Sequence, residues 1–381
     1  MNSQIKILHI VGTMNRGGAE LMLLDIAKNI SAKYKLIFLV NYKDKNCKYG
    51  LLDQELLDLG CDIYYIKTQW TSGLIKYYIS FKNILKKTGQ VDVIHSHINV
   101  KSGFVSFCAK ILNIKKIIVH SHGEINYWNK KFKSIVLNTE FIFQKILIHS
   151  FATDFWACSL KAGKTLFPHK KDKEIVVIKN AINIDPYQNI LASEIHSIRN
   201  DFTSQPKLII GSVGRVVKRK NLSFIIDVLH ELKKNKIDFV FVNIGQIDDN
   251  EYFEQVKHKI NKYDLCKDVI HLGLREDIPL LMSSLDVFIS PAFNEAFGIV
   301  AIEAQAAGVK TVLSNQFPTE VDLGLGLVDF IGVFDPKIWM NTILVGKTMP
   351  AINNKLIRQT FQEKGFDIKK NITTIEHFYE N

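Results

Sequence analysis

The chain has 381 residues, 47% of them hydrophobic and 23% charged, with a net charge of +11. That length exceeds one ordinary core and suits two domains of roughly 150–200 residues. The composition excludes a disordered chain, and no apolar run approaches the roughly 20 residues that span a bilayer.

The five cysteines (Cys47, Cys61, Cys108, Cys158 and Cys266) form no CxxC pair. The opening MNSQIKILHIVGT lacks a signal-peptide pattern, so the expectation is a cytoplasmic protein with reduced thiols. Charge is unevenly spread. Residues 1–190 hold 27 Lys and Arg against 14 Asp and Glu, a net of +13; the remainder holds 22 against 24. A basic first half points to an anionic partner.

In chain order, KILHIVG (6–12) reads as a buried strand, and GGAELMLLDIAKNI (17–30) has apolar residues at helical spacing. KLIFLV (35–40) is a strand and LLDQELLDLG (51–60) a helix that stops at glycine. DIYYIK (62–67), DVIHSH (92–97) and KIIVHSHG (116–123) repeat the strand signal. A second series starts at KLIIGSVGR (207–215) and continues through helix 222–235, strand 239–245 and helix 251–263. It ends with strands 269–273, 286–291 and 310–314. Alternating strand and helix predicts two parallel, doubly wound sheets. The seam falls near NAINIDPYQ (180–188), and 317–345 is ambiguous. The expected domains are 1–184 and 185–365, with a helix at about 366–381 packing back on the first.

Open parallel sheets bind ligands at the carboxyl ends of their strands, which singles out a few loops. GTMNRGGAE (12–20) presents Gly17 and Gly18 at a helix N-terminus, where a ligand can approach backbone amides. It is neither GxGxxG nor a P-loop. SVGRVVKRKNLSF (212–224) places Arg215, Lys218, Arg219 and Lys220 after Gly214, suited to a diphosphate; Lys218 and Arg219 read more simply as solvated. In SPAFNEAFGIVAIEAQAAGVKTVLS (290–314), Glu295 precedes a helix expected from about Phe297 to Gly308. Glu303 sits within that helix. Carboxylates accept paired hydrogen bonds from vicinal hydroxyls, and the amides of Phe297, Gly298 and Ile299 suit phosphate oxygens. Asp248 and Asp249 read as a helix N-terminal cap rather than a metal site.

The Glu295…Glu303 spacing, E-x7-E, resembles the signature of retaining glycosyltransferases of GT-B family 4. GGAE, VIKNAIN, VGRVVKRKN and IHLGLREDIPLLMSSLDVFISP agree with it in kind and order over nearly the whole chain. The flavour is that of bacterial capsule or exopolysaccharide assembly. The resemblance implies an α/β GT-B fold: two Rossmann-like domains facing across a cleft. It implies that Arg215 and Lys220 grip the donor diphosphate, Glu303 the ribose and Glu295 the sugar near the reacting centre. Gly214 shapes the cation loop, and the backbone at Phe297, Gly298 and Ile299 touches sugar hydroxyls and phosphate. Arg275, in GLRED, marks where the base is held. Gly17 and Gly18 reach the donor phosphate, with Asn15, Arg16 and His122 on the acceptor side. The family has a sugar-facing histidine at the end of a mid-domain strand, a place that His120 and His122 both match; strand register favours His120. Ala296 stands where many relatives have glycine, and NAIN where NGID is commoner.

The implied reaction moves a hexosyl or N-acetylhexosaminyl group, with retention, from a nucleotide-sugar donor, with UDP expected by family habit. The acceptor is a saccharide or lipid-linked saccharide at the inner membrane face. No cofactor is expected, and no metal is required. NYWNKKFKS (126–134) and WTSGLIKYYISFKNILKK (70–87) mix aromatic and apolar residues with lysines, as a peripheral contact with an anionic membrane would. The rival readings are an epimerase of the same shape, which would turn over sugar without acceptor, an inactive transferase acting as a partner subunit, and a nucleic-acid binder. No nucleic acid is expected, because no recognition motif organises the cations.

Overall fold

A computed structural model describes residues 4–15, 17–123, 135–205, 207–295, 297–347 and 352–380. The chain divides into two units, Met1–Ala181 with Ile368–Asn381, and Ile182–Asp367. The seam therefore lies three residues before the expected one, and the last helix joins the first unit.

The first unit contains β1 (Ile5–Val11), β2 (Tyr34–Tyr42), β3 (Asp62–Lys67), β4 (Val93–Ser96), β5 (Lys116–Ser121), β6 (Asp154–Ala157) and β7 (Ile175–Val177). They form one parallel sheet in the order β3-β2-β1-β4-β5-β6-β7. Strand alternation sends Leu8 and Ile10 to one core, and Ile7 and Val11 to another. The second face is closed by the terminal helix Ile368–Glu380, which buries Ile368, Ile372, Ile375 and Tyr379. That stripe at helical spacing is what docks it, each side chain contributing about 1.5–3 kcal/mol. Tyr34 and Lys33 fix its end through Glu380, both at 2.7 Å.

The second unit contains β8 (Leu208–Val213), β9 (Phe239–Ile244), β10 (Val269–Gly273), β11 (Val287–Ser290), β12 (Lys310–Ser314) and β13 (Val328–Ile331). The order is β10-β9-β8-β11-β12-β13, again parallel. Both sheets reverse their winding once, between β1 and β4 and between β8 and β11. Such switch points open a crevice at the strands' carboxyl ends. The loops after β8 and β11, which carry the cations and Glu295, thus become neighbours although some 75 residues separate them.

Candidate functional site

β8 ends at Val213, and Gly214 turns the chain with φ of +145°, a conformation that side chains resist. Gly245, after β9, has φ of +146° and lies against the Gly214 carbonyl, where a β-carbon would collide. This close backbone approach shapes a small recess lined by Gly214, Arg215, Lys220 and Asn243. A tight turn over Lys218–Lys220 follows, then Asn221 in the left-handed region, then the helix Leu222–Lys234.

The Lys220 ammonium meets Glu295 at 2.5 Å, with side chains only 16% and 11% exposed. Arg219 approaches the same carboxylate at 3.6 Å, and its carbonyl accepts from the Phe293 N–H at 2.9 Å. The cationic turn and the glutamate loop are therefore joined by side chain and backbone. Arg219, which reads from sequence as solvated, is part of that junction. Arg215 is more exposed than Arg219, at 58% against 45%, and points to Asp248 at 2.8 Å. Asp249 caps the helix Asn250–Lys262, accepting from the Tyr252 N–H at 3.0 Å; Asp248 does not, being held by Arg215.

Gly298 precedes the helix Ile299–Ala306, so that helix begins two residues later than expected and ends earlier. Gly298 has φ of +86°, and a β-carbon there would collide with the Phe317 ring and come within 3.2 Å of Glu295 Cγ. Phe297 turns into the core instead of outward. Glu303 is partly buried on this helix, beside core-facing Ala301, Ile302 and Ala304. Gln305 ties the helix down, donating to Ala301 and Val321 carbonyls and accepting from the Leu323 N–H. Arg275 forms a two-pronged pair with Asp277, at 2.8 and 2.5 Å, inside its own loop.

In the first unit, Gly17 and Gly18 open the helix Gly18–Asn29. The Glu20 carboxylate folds back over Gly17 and occupies the space of a β-carbon there. An acid at a helix N-terminus is electrostatically favourable. Asn15 is exposed on the same loop, its side chain accepting from the Leu51 N–H at 3.4 Å. Arg16, Ala296 and the stretch 126–134 lie outside the described residues.

Sequence reasoning missed one assembly. His9 on β1, His95 on β4 with His97 just past its end, and His120 on β5 with His122 just past its end form a cluster on the face covered by the terminal helix. His9 Nδ1 lies 3.0 Å from His97 Nε2, and His97 Nδ1 lies 2.7 Å from His122 Nε2. His95 Nε2 lies 3.2 Å from His120 Nδ1, and His95 Nδ1 lies 2.8 Å from the Tyr379 hydroxyl. Burial lowers His9 to about 3 and His122 to about 4. Burial first, then neighbouring imidazoles, hold His95, His97 and His120 well below the ordinary value, so all five are neutral at pH 7. His120 is fully buried, whereas His122 lies just past the strand end and is partly exposed. Register alone favours His120; exposure favours His122. The signal was present as histidines at alternate positions in otherwise apolar strands.

A cavity of about 350 Å³ lies elsewhere in the first unit, lined by Ile142, Ile146, Phe155 and Phe167 among others. It is largely apolar, with Lys145, His149, His169 and Lys170 also in its lining. No helix among the described residues is long and apolar enough to cross a membrane.

Two parallel Rossmann-like units with their loops gathered at switch points constitute the GT-B fold of glycosyltransferases. Residues 195–323 match the sequence profile of the family described as Glycosyl transferases group 1. The chain is 27% identical to the putative glycosyltransferase EpsF of Bacillus subtilis (strain 168), over 99% of this chain and 97% of that one. It is 29% identical to the capsular polysaccharide biosynthesis glycosyltransferase CapH of Staphylococcus aureus, over 89% and 90%. Among solved structures, Anabaena HepE in complex with UDP-glucose superimposes with a TM-score of 0.79 at 20% identity, covering 98% of this chain and 99% of that one.

Proposed function

We propose that the protein is a retaining glycosyltransferase that moves a hexosyl or N-acetylhexosaminyl group from a UDP-sugar to a lipid-linked saccharide during capsule or exopolysaccharide assembly. The observation that carries this reading is the junction of Lys220 with Glu295 at the second sheet's switch point. It puts a cation suited to a diphosphate next to a carboxylate suited to sugar hydroxyls. The profile match over 195–323 and the likeness to CapH support it, and the bound ligand of HepE supports UDP as the nucleotide.

In this mechanism Arg215 and Lys220 take up the negative charge that grows on the departing diphosphate. Such preorganised stabilisation is usually the largest catalytic contribution. Arg215 and Lys220 exchange Asp248 and Glu295 for phosphate oxygens. Glu295 then turns to the donor sugar, and Glu303 to the ribose. The acceptor hydroxyl attacks from the leaving-group side, and a phosphate oxygen of the donor receives its proton. With this charge compensation, diphosphate departure needs no metal, so transfer persists in EDTA.

The basic first half binds the acceptor at an anionic membrane face, as a peripheral cytoplasmic protein. The helix Leu74–Thr88 supports that placement, since Ile75 and Ile79 are 77% and 51% exposed beside exposed Lys76, Lys82 and Lys86. The test is a nucleotide-sugar panel screened by thermal shift and then assayed with membrane extract. Arg215→Ala should lower turnover about 10²–10³-fold, equivalent to about 3–4 kcal/mol, without loss of fold. Unchanged turnover in this variant would refute the assignment.

A further inference from the structure

We propose that Asn243 binds one oxygen of the diphosphate in the recess beside Lys220, and that His271 is the residue that positions it. This role rests on the nucleotide-sugar reading above and adds two residues to its site.

β9 is apolar except at one position. In FVFVNI, Phe239 and Phe241 enter one core, and strand alternation sends Asn243 to the same side. Register sets Asn243 opposite Ser212 on β8 and His271 on β10. Three polar side chains thus lie in a row over the end of an apolar core. The Asn243 amide is buried there, so each of its polar ends calls for a partner.

One end has it: Oδ1 lies 2.9 Å from His271 Nδ1. Burial holds His271 below its ordinary value, so the ring is neutral at pH 7 and carries one N–H. With a carbonyl oxygen opposite, that N–H is on Nδ1. Among the described residues nothing accepts from the other end, Nδ2. The recess that Asn243 lines with Ser212, Gly214, Arg215 and Lys220 has about 10 Å³ of space. That is room for one water-sized oxygen.

Polarity decides what that oxygen belongs to. Arg215 and Lys220 can only donate, and Asn243 presents its N–H end. An oxygen met by donors on several sides is best satisfied when it carries negative charge, as a phosphate oxygen does. Turned over, the amide would offer Oδ1 to the recess, attract the Lys220 ammonium and repel the diphosphate. The His271 N–H holds it against that turn.

The test measures nucleotide binding to the full chain by calorimetry, apart from turnover. Asn243→Ala should weaken UDP about tenfold and leave uridine, which lacks the phosphates, unchanged. Asn243→Asp keeps an acceptor for His271 but turns a carboxylate to the recess, and should weaken UDP further still. His271→Phe removes the positioning N–H and should weaken UDP about threefold. In the Asn243→Ala background His271→Phe should change nothing, because its effect passes through the amide. Circular dichroism checks that each variant is folded. A folded Asn243→Ala that binds UDP as the wild type does would overturn the proposal, as would equal losses for UDP and uridine, or additive losses in the double variant. A wild type that binds no UDP would overturn the nucleotide-sugar reading itself, and this role with it.

Discussion

Replacing Lys220 with methionine probes the junction on which the donor site rests. The pair it breaks is short, 2.5 Å, and both side chains are less than one-fifth exposed. Removing one partner of a fully buried pair costs about 3–5 kcal/mol, because a charge is left without compensation. Here Arg219 stands 3.6 Å from the same carboxylate and takes up part of that deficit. The expected loss is therefore about 2 kcal/mol for Lys220→Met, and a similar loss for Glu295→Gln. The double variant should lose about 2 kcal/mol, not 4, because the second change removes the charge orphaned by the first. Urea unfolding of the four proteins measures this coupling, provided the slopes agree. A ligand readout accompanies it. In the donor-free protein Glu295 competes with the diphosphate for Lys220. Glu295→Gln should then bind UDP about tenfold more tightly, a gain of about 1.4 kcal/mol, while transferring sugar more slowly. Additive stabilities, or UDP affinity that is unchanged or weaker in Glu295→Gln, would refute the reasoning.

Three further outcomes are expected. Gly298→Ala must place a β-carbon at φ of +86° against the Phe317 ring; unfolding experiments should show a loss of about 2–4 kcal/mol, with weakened donor binding as Glu295 is displaced. Burial, reinforced by Glu55 and opposed by Lys28, raises Asp25 to about 6. Its contribution is therefore fully present below about pH 4 and lost as pH rises through 6. Asp25→Asn should match the wild type at pH 4 and exceed it by up to about 3 kcal/mol at pH 8; a constant difference across pH would contradict this. Ile75→Ser with Ile79→Ser should weaken co-sedimentation with anionic vesicles about tenfold, and added salt should weaken it in the wild type.

The sequence announced most of the fold because parallel strands buried on both faces read as continuous apolar runs, as in KILHIV and KLIFLV. It did not announce β6, DFWA, four residues with no glycine or proline close on either side to mark them off. β13 was hidden in VDFI, where half-buried residues beside Gly324 and Gly326 blur the pattern. At the candidate site, residue type and loop position were legible for Arg215, Lys220 and Glu295. Their pairing was not, since Lys220 meets Glu295 only through the adjacency of β8 and β11, which no local pattern encodes. The same holds for the histidines. Each was visible in its strand, yet only registers such as His9 opposite His95 bring them together.

The terminal helix has a consequence for how the protein is made. Tyr379 and Ile375 complete the core of a unit whose first strand begins at Ile5. During synthesis, that opening domain waits with one face uncovered while the whole of 182–367 emerges. A ribosome stalled anywhere before residue 379 therefore presents an unfinished hydrophobic surface to chaperones, however mature the intervening unit has become.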